Sequence, residues 1–222
     1  MTWQRVCEPR VGCRQADNPS IATARHTDWP PTTVTFPDLA PIESARLTLR
    51  EVVEGDLDDL MVFNGDPEVT RFLPYDTWRG RDDAVAWHQR MRTLAETGSA
   101  RQLVLFHKAE QRVVGTLLLF KFDAASSRLE VGYVLGRAHQ GQGLMREALA
   151  AAIEAAFMQW GLHRLEAEVD PANLPSNRLL LSLGFTHEGT SRQRWRAKGR
   201  RYDTCLYGLL ESDIRPSAEH NT

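Results

Sequence analysis

The chain has 222 residues, enough for one substantial domain and short for two, and is 42% hydrophobic and 25% charged. These proportions suit a soluble globular protein, no apolar run reaches the length of a bilayer span, and a net charge of −2 argues against a general nucleic-acid binder. Three cysteines, Cys7, Cys13 and Cys205, without paired zinc spacing, fit a reduced cytoplasmic setting.

Residues 1–43 hold scattered proline and polar residues without sustained periodicity. They have neither a charged start followed by an apolar core nor an Arg-rich amphipathic pattern, and read as an irregular extension, not a targeting signal. Trp3, Trp29 and Phe36 are the residues by which it could lie against the domain, which is expected over 44–213 with a tail at 214–222. Ala45 to Arg50 alternates apolar and polar residues as a half-buried strand does. Asp56 is an N-cap candidate for a helix running to Phe63, Pro67 to Phe72 starts a helical turn, and Arg81 to Glu96 is an amphipathic helix stopped by Gly98. Leu103 to Phe106 and Val113 to Phe120 are apolar, β-rich runs joined by a polar turn, an antiparallel hairpin. Arg128 to Leu135 is the next strand.

Then comes Gln140-Gly141-Gln142-Gly143-Leu144-Met145, a bare backbone between a strand and a run of helix formers, Arg146 to Trp160, that ends at Gly161. Glycine lets a ligand approach the main chain, and the first amides of a helix carry unpaired N–H groups and the positive end of its dipole, so this is a phosphate seat or, more plainly, a tight turn. Leu144-Met145 stands where a nucleotide P-loop needs Lys-Ser or Lys-Thr, and only two of the three dinucleotide-fingerprint glycines are present, with Glu166 and Glu168 near the acidic position. Arg164 to Val169 alternates again, so strand, helix and strand should form a right-handed crossover within one sheet. A helix over Ser176 to Leu183, stopped at Gly184, and two strands near Thr186 to Arg194 and Tyr202 to Leu210 close the chain.

The segment Leu129-Glu130-Val131-Gly132-Tyr133-Val134-Leu135, the glycine loop, Asn173-Leu174-Pro175-Ser176 and Leu183-Gly184-Phe185 together resemble the GNAT superfamily of acetyl-CoA-dependent N-acetyltransferases. The likeness is greatest to the branch that acetylates ribosomal-protein N-termini, and runs from about Ser44 to Asp213. In the family's loop pattern, Gln/Arg-x-x-Gly-x-Gly/Ala, Gln140 and Gly143 match, while Met145 stands where Gly or Ala is asked for. The resemblance implies a single-domain α/β fold with a mixed, mostly antiparallel, splayed central sheet flanked by helices.

It also implies that the strand before the loop bulges and splays, so that the main chain of Tyr133, Val134 and Leu135 holds the pantetheine arm of acetyl-CoA. Gln140, Gly141, Gln142, Gly143, Leu144 and Met145 would hold the pyrophosphate, Asn173 the pantetheine, and Ser176 would protonate the departing sulfur directly or through water. Asn173 and Ser176 are equally good helix caps, and a capping Asn173 cannot offer the same oxygen to a ligand. Leu180 occupies the place where many members carry a tyrosine. Glu130 is the candidate general base, with a solvent-facing strand carboxylate as the plain alternative. Tyr75 and Trp78, near Pro74, are expected to line the acceptor pocket, and Trp87 to be core.

The scattered histidines give no metal pair; His139 is either a phosphate contact or a solvated loop residue. Cys205 reads as a buried strand thiol, so the acyl group is expected to pass directly, without an acyl-enzyme. The basic run Arg192, Arg194, Arg196, Lys198, Arg200 and Arg201 reads as an exposed hairpin, or as a contact for a CoA phosphate or an acidic substrate. The favoured acceptor is a protein or peptide N-terminus, with no nucleic-acid, membrane or metal partner and a monomer or homodimer as the assembly. A small-amine substrate such as a polyamine, aminoglycoside or amino acid is the alternative, followed by a non-catalytic acyl-CoA-binding module. A dinucleotide oxidoreductase would require a wholly parallel sheet.

Overall fold

The apolar, β-branched runs build one eight-stranded sheet in a computed structural model that describes Phe36 and residues 39–214. These residues belong to one compact unit. Its elements in chain order are β1 (Ile42–Glu43), β2 (Leu47–Glu51), α1 (Leu57–Asn64), α2 (Pro67–Thr70), α3 (Arg81–Glu96), β3 (Ala100–His107), β4 (Arg112–Asp123) and β5 (Arg128–Leu135). There follow α4 (Leu144–Met158), β6 (Arg164–Val169), α5 (Leu174–Ser182), β7 (Thr186–Ala197), β8 (Arg200–Leu210) and α6 (Glu211–Ile214). The strand order is β1-β2-β3-β4-β5-β6-β8-β7, and every neighbouring pair is antiparallel except β5 with β6. The wholly parallel sheet of a dinucleotide oxidoreductase is thereby excluded.

Pairing begins slightly upstream of the expected boundary. Ile42–Glu43 faces Leu49 and Thr48, and Phe36 is buried with its ring edge-on to Phe122 at 5.4 Å. A two-residue strand is too short to show a period, which is why the sequence hides it. Trp3 and Trp29 lie outside the described residues. Asp56 does precede α1, but its carboxylate does not cap that helix: it takes both guanidinium nitrogens of Arg50 at 2.8 and 2.7 Å and the Val53 amide at 2.9 Å.

Strand periodicity gives the sheet two different faces. Leu129, Val131, Tyr133 and Leu135 of β5 pack with Leu165, Ala167 and Val169 of β6 and with α4 and α5. Small residues, Ala148, Ala152, Ala155 and Ala156, let α4 lie close on this face. On the other face a second core joins α1 and α3, through Leu60, Phe63, Trp87 and Met91, to Val104 and Val113. No helix among the described residues is long and apolar enough to cross a membrane.

The sheet is split at its centre. β5 and β6 pair only at Arg128↔Arg164, Leu129↔Leu165 and Glu130↔Glu166. Beyond these, β5 continues to Leu135 on β4, and β6 continues to Val169 on β8, so the two strands diverge. The splay expected from the resemblance is present, but the bulge is not: the β4–β5 register is unbroken from Gly115↔Leu135 to Phe120↔Glu130. The register shift falls instead between Phe120 and Asp123, where Lys121 has φ +53°.

Candidate active site

The split opens into a cavity of about 800 Å³ that runs through the sheet from the α4–α5 side to the α1–α3 side. Glu130, Tyr133, Val134, Leu135, Asn173 and Ser176 all line it, as do Gln140, Gly141, Gly143, Leu144 and Met145. Residues about 45 positions apart in the chain therefore meet at one gap.

The glycine loop forms as a phosphate seat requires. Gly141 and Gly143 have φ of +74° and +76°, in the left-handed region that other residues avoid. Gly143 is the N-cap of α4 and offers no side chain to the first amides, so these point into the cavity with the positive end of the helix dipole. A Cβ at Gly141 would meet nothing within 4 Å, so the loop's space is open to a ligand. Met145, the departure from the family's loop pattern, is only 7% exposed and packs into the core while part of it lines the cavity. Gln140 and Gln142 use their side chains on the protein. Gln140 Nε2 donates to Leu135 O at 3.0 Å, tying the end of β5, and Gln142 Nε2 donates to Ala138 O at 2.8 Å. Gln142 is the one loop residue that does not line the cavity, and its carbonyl accepts from Arg46 at 3.0 Å. Arg46 also holds Glu147, at 2.7 Å, and the sequence did not mark it.

Asn173 caps α5, its Oδ1 accepting from the Ser176 amide at 3.4 Å, so that oxygen is engaged. Ser176 Oγ lies 2.8 Å from the hydroxyl of Tyr133, a contact across the split that a main-chain role for Tyr133 did not anticipate. Burial pushes the Tyr133 phenol up to about 12. Leu180, one turn on, is fully buried.

Glu130 lies on the opposite face of β5. It is only 4% exposed, which removes the solvent-facing alternative. Its Oε2 accepts from Lys121 Nζ at 2.7 Å, and the same ammonium reaches Glu168 Oε1 at 3.2 Å. Glu168 is held further by Arg194 at 2.7 and 2.8 Å and by the Trp195 indole N–H at 2.7 Å. Burial raises the Glu130 carboxyl above the ordinary value despite Lys121. Glu168 feels burial too, but its cationic and indole donors outweigh it and bring its pKa down to about 2. Around Glu130, Gln102, Thr116 and Thr204 are also buried polar residues on the α3 side of their strands and line the same cavity. Together they give the cavity wall on this face a polar stripe within otherwise apolar strands.

On the α1–α3 side the cavity is bounded by the β7–β8 hairpin. Lys198 at its tip donates to Thr70 O at 2.6 Å, bridging to the C-terminal end of α2, and Trp195 and Tyr202 line the cavity together with Val69, Phe72 and Pro74. The basic run is exposed throughout, but within it Arg194 and Lys198 are structural ties and Arg200 donates to the Tyr202 hydroxyl at 2.8 Å. Tyr75 lines the cavity, its hydroxyl donating to Asn64 Oδ1 at 2.8 Å. Trp78 does not. It is 7% exposed, packs against Trp87 with ring centroids 5.5 Å apart and planes tilted by 56°, and borders a separate, smaller hollow, because packing on α3 buries more of its ring than the cavity wall could. His139 is not part of the cavity lining, and its Nε2 lies 3.0 Å from Glu110. Cys205 is buried, as expected. Among the described residues no group of three or more His, Cys, Asp or Glu is placed to hold a metal ion.

An anion seat, a strand edge freed for an extended chain, and a carboxylate and a hydroxyl pair on opposite faces suit the joining of two substrates that enter from opposite sides. The profile of the acetyltransferase (GNAT) domain matches residues 46–186. An uncharacterized N-acetyltransferase, p20, of Bacillus licheniformis is 36% identical over 168 residues, which cover 76% of this chain and 94% of that one. The ribosomal protein uS5 alanine N-acetyltransferase of Escherichia coli (strain K12) is 33% identical over 134 residues, 59% of this chain and 69% of that one. The crystal structure of spermidine N-acetyltransferase from Vibrio cholerae, in complex with CoA and spermine, superposes with a TM-score of 0.66 at 21% identity, over 76% of this chain and 97% of that one. With its split sheet, glycine loop and this profile spanning well over half its length, the chain belongs to the GNAT N-acetyltransferase family.

Proposed function

We propose that the protein transfers an acetyl group from acetyl-CoA directly to a primary amine, and that the acceptor is a peptide or protein N-terminus. The observation that carries this reading is the split between β5 and β6, with Glu130 on one face and Ser176 on the other. The thioester supplies the activated acetyl group. The α4 amides at the glycine loop would hold the pyrophosphate, and the main chain of Tyr133, Val134 and Leu135, left unpaired by β6, would hold the pantetheine and polarise the acetyl carbonyl. Glu130 takes the proton from the incoming ammonium through its free side, since Lys121 occupies only Oε2. Ser176 donates a proton to the departing sulfur. Direct transfer fits because the buried thiol of Cys205 faces the α4–α5 core.

The slot between the 68–75 segment and the hairpin, closed by Lys198, supports a narrow, single-amine acceptor such as a peptide end. Carboxylates in the cavity wall favour a polyamine as the second reading: Glu130 and Glu168 are matched by Lys121 and Arg194, but Glu68, Asp170 and Asp203 also line the cavity, outside any of those ion pairs. A cytoplasmic site of action is part of the same proposal. The test is release of free CoA from acetyl-CoA against a panel of peptides, polyamines and aminoglycosides. Peptide-dependent release with polyamines inert supports the acceptor; release with polyamines alone replaces it, and acetyl-CoA binding without release on any amine leaves a binding module.

A further inference from the structure

The 2.8 Å contact between Tyr133 Oη and Ser176 Oγ joins two elements that meet only because the sheet splits. Ser176 sits in the first turn of α5, its amide fixed by Asn173, and Tyr133 reaches it from β5 with its ring in the α4–α5 core. Phenylalanine would satisfy that packing, so the hydroxyl needs another reason. Serine alone is a poor proton donor because its alkoxide is strongly disfavoured, whereas a phenolate is a much more stable anion.

We propose that Tyr133 is the positioning residue and proton reserve behind Ser176. In the transfer put forward above, on which this inference rests, the C–S bond breaks with its electron pair on sulfur, and the Ser176 Oγ proton moves to that sulfur. The Tyr133 Oη proton moves onto Ser176 Oγ in the same step. Serine ends neutral, Tyr133 ends as phenolate, and solvent reprotonates it as the cavity empties. Glu130, on the other face, passes the first proton, taken from the ammonium, to solvent through the cavity. It then takes the second, which the nitrogen loses once its bond to the acetyl carbon has formed, so the two proton paths stay separate. A phenol raised to about 12 is fully protonated before each turnover across the ordinary working range.

The experiment compares wild type, Tyr133→Phe, Ser176→Ala and the double variant, using the full chain and an amine that the wild type acetylates. Each single change should lower kcat about 10- to 100-fold with the KM for acetyl-CoA unchanged, and the double variant should be no slower than the slower single one. A solvent proton inventory should be curved for the wild type, from two moving protons, and linear for both single variants. Placing 3,5-difluorotyrosine at 133 keeps the hydroxyl and should restore the curve. If Tyr133→Phe unfolds early on heating, the difluorotyrosine protein carries the test alone: curvature supports the relay and a straight line overturns it. A Tyr133→Phe rate within about two-fold of wild type, or losses that multiply in the double variant, would also overturn it. A wild type that acetylates no amine sinks the proposed function and this inference with it; an active wild type with an indifferent Tyr133→Phe sinks only the inference.

Discussion

Replacing Lys121 by methionine should raise the pKa of Glu130 and, with Glu130 as the proposed base, move the acidic limb of kcat/KM upward. Lys121 Nζ stands 2.7 Å from Glu130 Oε2, and its side chain is 42% exposed. At that separation two unit charges interact by about 6 kcal/mol at an effective dielectric of 20 and about 1.5 kcal/mol at 80. An ammonium nearly half in water belongs near the weaker end, so about 1.5–3 kcal/mol is lost, or about 1–2 pKa units. The sign is fixed by the group: Glu130 is already raised by burial, and losing the nearby cation disfavours its ionised form further. The same reasoning applies to stability. A carboxylate whose folded pKa is raised is best tolerated at low pH, where it is protonated, and costs stability as pH rises through its folded pKa. Lys121→Met should therefore be less stable than wild type near neutral pH and should recover as pH falls. The assay is a pH–rate profile of kcat/KM with one acceptor amine, whose own ionisation is common to both proteins, beside thermal unfolding at several pH values. An acidic limb in the same place for both proteins would refute the coupling of Lys121 to the base.

Other perturbations follow from the same geometry. Gly143→Ala forces an L-residue to φ +76° at the N-terminus of α4, which should cost about 1 kcal/mol in thermal stability and raise the KM for acetyl-CoA with little change in the KM for the amine. Lys198→Met unties the hairpin from Thr70 and should raise the KM for the acceptor several-fold while leaving acetyl-CoA binding, measured by calorimetry, unchanged. Glu168, lowered to about 2 from an ordinary 4.5, contributes stability that is present above pH 4.5 and lost as pH falls toward 2; Glu168→Gln should flatten acid unfolding in that window. Leu149→Ala, at a fully buried site on the core face of α4, should lower stability by about 2–5 kcal/mol in denaturant titration.

The parts of the fold that announce themselves in the sequence are those with local punctuation. Gly141 and Gly143 are read correctly because positive φ needs glycine, and Asn173 with Pro175 marks the start of α5 because capping is a property of adjacent residues. Glu130 shows the limit of periodicity. Alternation says that it faces away from Leu129 and Val131, but not that this face carries α3 and a cavity instead of water. Trp78 is misplaced for a related reason: an aromatic residue near a proline looks the same whether it lines a pocket or packs on Trp87. The roles of Lys121, Arg194 and Trp195 are invisible until the sheet is assembled, since they reach the carboxylates from two separate strands, β4 and β7, and nothing local marks Lys121 beyond the end of an apolar run. The Tyr133 hydroxyl was passed over because the family's use of that strand is through its backbone, and only the distance to Ser176 reveals the side chain's partner.

The central claim is that amine and thioester meet at the split with Glu130 as the base. It is tested most directly by single-turnover acetyl transfer with Glu130→Gln at saturating acetyl-CoA. The expected result is a loss of about 100-fold or more in the rate at neutral pH, with acetyl-CoA affinity unchanged and the acidic limb of the pH profile abolished. A variant that transfers acetyl at the wild-type rate, with the same pH profile, would contradict it.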